Sequence, residues 1–284
     1  MMATLDHKID FAVVLSVTKA NPNGDPLNGN RPRQNYDGHG EISDVALKRK
    51  IRNRLQDMGE SIFVQSNDRN VDGFSSLRER AEAVEELAKL MKSKKPSADE
   101  FAAIACEKWI DVRSFGQVFA FKGDSVSIGI RGPVSIHAAT SIDPIDITSI
   151  QITKSVNSEP GTARGSDTMG MKHRVDSGVY VFYGSINPQL AEKTGFSNED
   201  AEKIKQALGT LFENDASSAR PEGSMEVHKV FWWAHRSKLG QYSSAKVHRS
   251  LVVERRAAEP KSFEDYEFVV QTLDGLEVEI IDGR

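Results

Sequence analysis

The feature that most constrains this chain is an alternating strand that leads through a polar loop into a strongly basic helix. Apolar residues fall at every second position of 8–18, a spacing typical of a strand. The loop that follows is rich in Asn, Gly and Pro, so we expect turn chemistry rather than strand pairing to shape it. A helix is then predicted over 43–58, and five of the seven residues Lys48 to Arg54 are cationic. A strand, a polar loop and a cationic helix together suit a polyanionic ligand.

Charge is spread unevenly along the 284 residues. The formal charge is −4, but residues 259–284 carry eight acids and two bases, a net of −6, so the remainder carries about +2. Residues 228–256 form a second basic region, with seven Lys or Arg against one Glu. Because local sign governs the choice of partner, the negative total does not exclude a polyanion.

Several classes of protein are excluded or disfavoured. Cys106 is the only cysteine, so the chain cannot build an internal disulfide or a zinc cluster of cysteines. The apolar run Phe11 to Leu15 is too short for a signal peptide or a membrane span, so we expect a cytoplasmic protein with no membrane partner. The sequence has no Walker loop, HExxH motif or nucleophile elbow, and we expect no cofactor and no metal site.

The remaining patterns predict an α+β chain. Two capping-box patterns separated by Pro96 favour a helical insertion of two helices within 75–110. A further helix is predicted from Ser197, and Asp274-Gly275 predicts the turn of a C-terminal hairpin. Two helices on one face of an antiparallel sheet fit a ferredoxin-like core. Strands are predicted at 117–121, 126–142, 175–186, 225–235 and 247–253.

The basic helix offers the first candidate site. Lys48 and Arg52 are four residues apart, so they share a helical face, and we expect both heads to point outward beside the buried stripe. A backbone phosphate fits between them, with Ser43 and the helix N-terminus supplying further donors. The alternative is an ordinary solvated helix face. The buried stripe is predicted to consist of Leu47, Ile51, Leu55 and Met58.

A second candidate is the stretch from Gly161 to Val175. Met169 and Met171 would project together from a strand, and a hairpin with an apolar tip and basic flanks can wedge between bases. A surface loop with incidental cations remains the alternative. The basic flanks are Arg164, Lys172, His173 and Arg174.

Three further features have a structural and a functional interpretation. Asp25 could bind a metal or act as a base, but a single Asp is not a metal site and a structural turn is favoured. The aromatic run 231–233 could stack on bases, but consecutive aromatics in a strand usually fill a core. The run that contains Lys238, Lys246 and Arg249 is either a second set of phosphate contacts or a solvated surface.

Several of these motifs together resemble the type I-C CRISPR Cascade backbone subunit, a Csd-type branch of the "Cas seven" family. The resemblance runs from about residue 9 to residue 255. It is carried by NPNGDP and DVALKRKIRN, and again by IDVRSFG, GPVSIHAATSIDPI and TMGMKHRV.

The resemblance implies a fold with three parts. These are a modified ferredoxin-like (RRM-like) palm formed by residues 1–60 and 111–284, a helical fingers insertion at 61–110, and a β-hairpin thumb at 150–178 within the palm. Copies of such a subunit polymerise along one guide RNA, and each thumb kinks out one nucleotide.

The resemblance also implies the function. The chain would be a non-catalytic subunit that binds CRISPR RNA and presents it for pairing with target DNA in antiviral defence. Its partners would be the guide RNA, further copies of itself in a helical filament, and the large, small and guide-processing subunits, the last at the 5′ handle. In related subunits a serine and two basic residues of the first helix grip the guide, at the spacing of Ser43, Lys48 and Arg52. The expected RNA-binding residues are Asn21, Asn23, Arg31, Arg33, Ser43, Lys48, Arg49, Arg52, Arg164, Met169, Met171, Lys172, His173, Arg174, Lys238, Lys246 and Arg249.

One alternative function stays open at this point. Type III members of the same family cut target RNA with an aspartate in the loop after the first strand, and Asp25 lies in the equivalent loop. The alternative is therefore a metal-dependent RNase of the same architecture that uses Asp25.

Overall fold

The computed structural model describes residues 3–93, 97–121, 127–153 and 169–284, and these residues form fourteen strands and eight helices. The strands are β1 (Ile9–Ala20), β2 (Gly24–Asp25), β3 (Arg31–Gln34), β4 (His39–Ile42), β5 (Gly116–Ala120), β6 (Ser127–Arg131), β7 (Val134–Ile136), β8 (Ala139–Pro144), β9 (Ile147–Thr153), β10 (Met169–Ile186), β11 (Met225–Ala234), β12 (Leu251–Arg255), β13 (Tyr266–Val270) and β14 (Glu279–Asp282). The helices are α1 (Asp44–Asp57), α2 (Leu77–Glu82), α3 (Glu85–Lys92), α4 (Ala98–Lys108), α5 (Ile110–Phe115), α6 (Pro188–Thr194), α7 (Asn198–Gly209) and α8 (Ser244–Ser250). Across these ranges, no helix has both the length and the apolar character that a membrane crossing requires.

A ten-stranded sheet organises the described residues, and its strand pairs are antiparallel. The strand order is β14-β11-β1-β10-β8-β4-β3-β2, with β7 and β9 also paired to β10. β10 runs beside β1 from the pair Ile9 and Ile186 to the pair Ala20 and Val175. The sequence prediction of a central strand at 175–186 is confirmed, and the strand extends outward to Met169.

β1, predicted as a strand from its alternation, is buried on both faces along most of its length. Its residues Phe11 and Leu15 pack with α1 and α7 in the largest core cluster. Ala12 and Val14 face the other way and pack with α8, β12 and β13. The alternation in the sequence therefore separates two cores instead of separating a core from solvent.

The helices α1 and α7 share one face of the sheet. Leu47, Ile51 and Leu55 of α1 are buried there as predicted, while Met58 is only partly buried. Ser43 caps α1, since its Oγ accepts a hydrogen bond from the Ala46 amide at 3.2 Å. The predicted first helix is therefore confirmed in its start and in most of its buried stripe.

A second hydrophobic core lies under helices α2 to α5 and the β5–β6 hairpin. Phe63, Phe101, Trp109 and Phe119 are its large side chains, and their rings contact each other. Three helices occupy 77–108, where the capping patterns predicted two. The first predicted helix is interrupted between α2 and α3. Val84 has extended backbone at that break.

Three sequence predictions about strands are wrong. The polar loop contains the short strands β2, β3 and β4, and each has four residues or fewer, which is too few to show a hydrophobic period. Residues 244–250 form α8, capped by Ser243, and β12 begins only at Leu251. The C-terminal strands do not form a hairpin, because β13 pairs with β12 while β14 pairs with β11. The predicted turn is present, with a bridge between Leu273 and Leu276.

Candidate nucleic-acid interface

The loop after β1 is tied to the start of α1 by asparagine side chains. The Asn21 amide donates to the Asn30 carbonyl at 2.7 Å, and the Asn23 Oδ1 accepts from the Ser43 amide at 2.9 Å. Gly24 allows this closure, since a Cβ there would lie 2.0 Å from the Asn30 side chain. Asn21, Asn23 and Ser43 are therefore brought together, and their side chains fix the entry into α1.

The cations of α1 have partners on other elements, which the sequence did not indicate. Only Lys48 uses a neighbour on its own helix, Asp44, at 3.1 Å. The other partners are the Val64 carbonyl for Arg49 (2.6 Å), Asp215 for Lys50, Asp111 for Arg52 (3.0 Å) and Glu213 for Arg54 (3.1 Å). Most of the positive charge that the sequence assigns to an open helix face is thus balanced by acids of the same chain.

Arg52 points into the protein, which corrects the expectation that its head points outward with that of Lys48. Its Nε donates to Asp111, and its guanidinium lies 5.0 Å from the centre of the Phe115 ring. Asp111 is fully buried and also accepts the amides of Phe63 and Val64, at 2.7 and 3.1 Å. Arg52 therefore joins α1 to α5 and to the segment before α2. In the sequence, the only sign that the Asp111 carboxylate is buried is its position between the apolar residues Ile110 and Val112.

Arg31 and His173 meet at one serine. The Arg31 Nη1 donates to the Ser149 Oγ at 2.8 Å, and the His173 Nδ1 lies 2.8 Å from the same oxygen. Ser149 belongs to β9, so the loop after β1 and the β9–β10 hairpin are in contact. The residues of the loop after β1 and those of the β9–β10 hairpin are far apart in the sequence, but in the fold they form one surface.

The outer part of the β9–β10 hairpin exposes its methionines. Met169 and Met171 are 58% and 54% exposed and lie on the same face of β10, as predicted. Ile150 and Ile152 of β9 pair with Lys172 and Gly170, so they lie on the opposite face. Lys172 is exposed. The hairpin thus presents apolar side chains on both faces.

Two further predicted arginines, Arg33 and Arg174, each lie near an acid. Arg33 Nη2 lies 3.5 Å from Asp25, and Arg174 Nε lies 3.9 Å from Asp176. Arg164 lies outside the described residues.

The second basic region lies on a different face. Lys246 and Arg249 are exposed on α8, which packs against the face of β1 opposite to α1. Lys246 Nζ lies 4.3 Å from the centre of the Tyr242 ring, and Lys238 pairs with Glu192. The structure therefore does not bring these cations together with those of α1.

The aromatic run 231–233 fills cores, as favoured from the sequence. Phe231 and Trp233 belong to the cluster around α8, and Trp232 stacks on Phe11 with ring centres 5.7 Å apart. All three are at most 3% exposed, so none of them is available to stack on a base.

Asp25 has the contacts of a turn residue. Its Oδ1 accepts the Leu27 amide at 3.2 Å and caps a short 3-10 turn. Within the described ranges, no group of three His, Cys, Asp or Glu side chains is arranged to hold a metal ion. The favoured interpretation of Asp25 as a turn residue is consistent with these contacts.

Comparisons with known proteins place this chain in a family. Its residues 7–271 match the sequence model of the family described as CRISPR-associated protein Cas7. A "CRISPR-associated protein Cas7" of Haloferax volcanii is 26% identical over 258 residues, which cover 84% of this chain and 69% of that relative.

Similarity to solved structures is weaker. A chain of a "CRISPR RNA-guided surveillance complex, pre-nicking" is 17% identical, with a TM-score of 0.49, over 80% of this chain and 75% of that one. A chain of a "CRISPR RNA-guided surveillance complex" is 16% identical, with a TM-score of 0.46, over 80% of this chain and 68% of that one. The family match spans nearly the whole sequence, and the chain belongs to the CRISPR-associated protein Cas7 family.

Proposed function

We propose that this chain is a non-catalytic backbone subunit that binds guide RNA in a CRISPR surveillance complex of type I-C. The observation that carries the proposal is the family match over residues 7–271. The assignment to type I-C rests on the motifs quoted from the sequence. Several copies would assemble along one guide and present it to target DNA, beside a large, a small and a guide-processing subunit.

The proposed architecture is a ferredoxin-like palm with fingers and a thumb. The strand order β11-β1-β10-β8, with α1 after β1 and α7 after β10 on one face, supports the palm. The separate core around Phe63 and Phe119 supports a fingers unit, which we extend from 61–110 to include the β5–β6 hairpin. The β9–β10 hairpin supports a thumb within 150–178.

The proposed RNA surface runs from α1 to the thumb. Ser43 and Lys48 stand at its α1 end, and Arg31 and His173 meet at its hairpin end. Lys48 is the sharper probe, because its partner Asp44 is exposed and a phosphate can displace it. Arg52 acts on RNA only indirectly in this proposal, through the position of α1.

The proposal is tested by purifying the protein from cells with and without a CRISPR array. We expect RNA of uniform length to copurify only when the array is present, and a complementary strand of DNA to anneal to the complex. Protein that is free of RNA in both cases, and that does not bind single-stranded RNA when it is added, would overturn the proposal.

A matched pair of variants separates the α1 surface from general charge effects. Lys48→Glu is expected to reduce the copurified RNA, while Lys89→Glu is expected to leave it unchanged. Lys89 is a suitable control because it also pairs with an acid four residues earlier, Glu85 at 2.6 Å, on the separate helix α3.

A further inference from the structure

A polar cleft lies between α1 and the loop that follows α7. Its volume is about 630 Å3, within the range of about 300–1,000 Å3 typical of ligand sites. Arg49, Lys50 and Asn53 line it from α1, and Arg69 lines it from the 3-10 turn before α2. Arg220 closes the far side. Apart from Arg49, the sequence did not single out these residues.

The cleft carries more positive than negative charge. Four cationic residues and two acids, Asp68 and Asp215, line it, and Asp57, outside the lining, pairs with Arg69 at 2.7 Å, which leaves an excess of one positive charge. Lys50 and Arg220 share one carboxylate, that of Asp215, with Arg220 Nε 3.1 Å from its Oδ2. Within the described ranges, Arg49 pairs with the Val64 carbonyl and with no carboxylate. The cleft is therefore short of anions.

The shortage of anions is destabilising because two of the cations are wholly or partly buried. Lys50 is almost fully buried, and its burial lowers the pKa of the amine to about 8. Burial also lowers the pKa of the Arg49 guanidinium. An anion that enters the cleft would stabilise both charged forms, because Coulomb interactions are stronger where water is excluded.

Asn53 supplies a second kind of contact. Its Oδ1 is buried and, in the part of the chain that the structure describes, accepts no hydrogen bond. A buried acceptor without a partner is destabilising, so a ligand that brings a donor is favoured. A ribose 2′-hydroxyl is such a donor, and it is linked to the phosphate that the cations require.

We infer that this cleft binds a phosphate–ribose segment of single-stranded RNA, with the phosphate against Arg49 and Lys50 and a 2′-hydroxyl on Asn53. The inference rests on the proposed function and adds a contact on a different face of α1 from Lys48. Arg69 and Arg220 line the same cleft and add positive charge around the bound phosphate.

The test uses Asn53→Asp, which keeps the shape and the acceptor and adds one negative charge. Binding of a labelled oligouridylate to the full-length protein is measured over a range of salt concentrations. We expect binding about tenfold weaker and a salt dependence shallower by about one unit in log K against log salt, since about one phosphate contact is lost. Thermal melting of the variant should match or exceed that of the wild type, because the new charge faces cations.

Asn198→Asp is the control, because it makes the same change at an exposed position on α7 that does not line the cleft. If Asn53→Asp misfolds, Ala216→Glu replaces it: Ala216 is exposed on the rim of the cleft, and Ser218→Glu is its control outside the lining. Wild-type binding in the cleft variants would overturn the inference and leave the proposed function intact. A wild-type protein that does not bind RNA would overturn both.

Discussion

The Nε of Arg52 lies 3.0 Å from Oδ2 of Asp111, a carboxylate with no exposed surface. This pair joins α1 to the start of the second core, because Asp111 also accepts the amides of Phe63 and Val64. A residue with the sequence spacing of a phosphate ligand is therefore also a structural brace. Its neighbour Lys48, four residues earlier, remains on the surface.

Arg52→Ala is expected to lower the free energy of unfolding by about 3 kcal/mol, because it leaves the buried Asp111 charge without its cationic partner. Lys48→Ala, which removes a partly exposed pair, is expected to change it by at most about 0.5 kcal/mol. Urea denaturation of the two variants measures both values. Equal stability of Arg52→Ala and wild type would show that Asp111 does not depend on Arg52.

Asp25→Ala is expected to leave complementary RNA uncut by the assembled complex, as in the wild type, with or without magnesium. The contacts of Asp25 are a backbone amide and Arg33, so its loss should cost about 1 kcal/mol as the loss of a cap does. Cleavage assays on labelled RNA provide the measurement, with the exposed Asp37→Ala as control. Magnesium-dependent cutting that disappears only in Asp25→Ala would support the RNase alternative.

Replacing Met169 and Met171 by serine is expected to weaken assembly on guide RNA while leaving the fold intact, since both side chains are more than half exposed. Serine removes the apolar surface proposed to wedge between bases. The control replaces Ile150 and Ile152, on the other face of the hairpin, by serine. Sedimentation of the complexes reports the assembly. If both pairs of substitutions weaken assembly equally, the methionine face has no special role.

The stability of the protein is expected to fall as the pH drops below about 6.5, in part because of His248. Burial holds the pKa of this imidazole below its ordinary 6.5. Between the folded pKa and 6.5 the unfolded chain therefore binds a proton that the folded chain does not, so the free energy of unfolding rises with pH across that window. The groups that face His248 are Asp10, His137, Tyr183 and the Gly184 carbonyl at 3.0 Å.

Urea denaturation on either side of pH 6.5 tests this expectation. His248→Gln keeps a donor for the Gly184 carbonyl but does not titrate, so its stability should depend less on pH than that of the wild type. His228→Gln is a parallel case, because burial also lowers the pKa of His228. An identical pH profile for His248→Gln and wild type would contradict the assignment.

What could be predicted from the sequence was local. Ser43 as the cap of α1 and the buried stripe of that helix depend on residues within a few positions of each other. The partner of Arg52 could not be predicted, since Asp111 is 59 residues away and nothing in a one-dimensional pattern joins them. The same is true of the contact between Arg31 and Ser149, 118 residues apart.

The pairing of the C-terminal strands is a second feature that the sequence could not predict. Asp274-Gly275 forms the predicted turn, but tertiary packing decides which strands pair across it. Strand propensity depends on neighbours that a sequence does not reveal. The cleft beside Arg49 was also hidden, because three separate segments and α1 have to meet to form it.

The 18 residues of β10 give the protein a mechanical property. At about 3.3 Å per residue the strand is about 60 Å long, and it runs without interruption from the pair Ile9 and Ile186 to the outer end of the hairpin. The strand is held between β1 and β7 at its Ile186 end, so its direction there sets the position of Met169 at the other end. Gly184 lies near the Ile186 end of the strand, where a Cβ would lie 2.1 Å from the Phe11 side chain. A methyl group at that position would force Phe11 or the strand to move, and in the proposed filament the same displacement would be repeated in every copy and would add up along the guide.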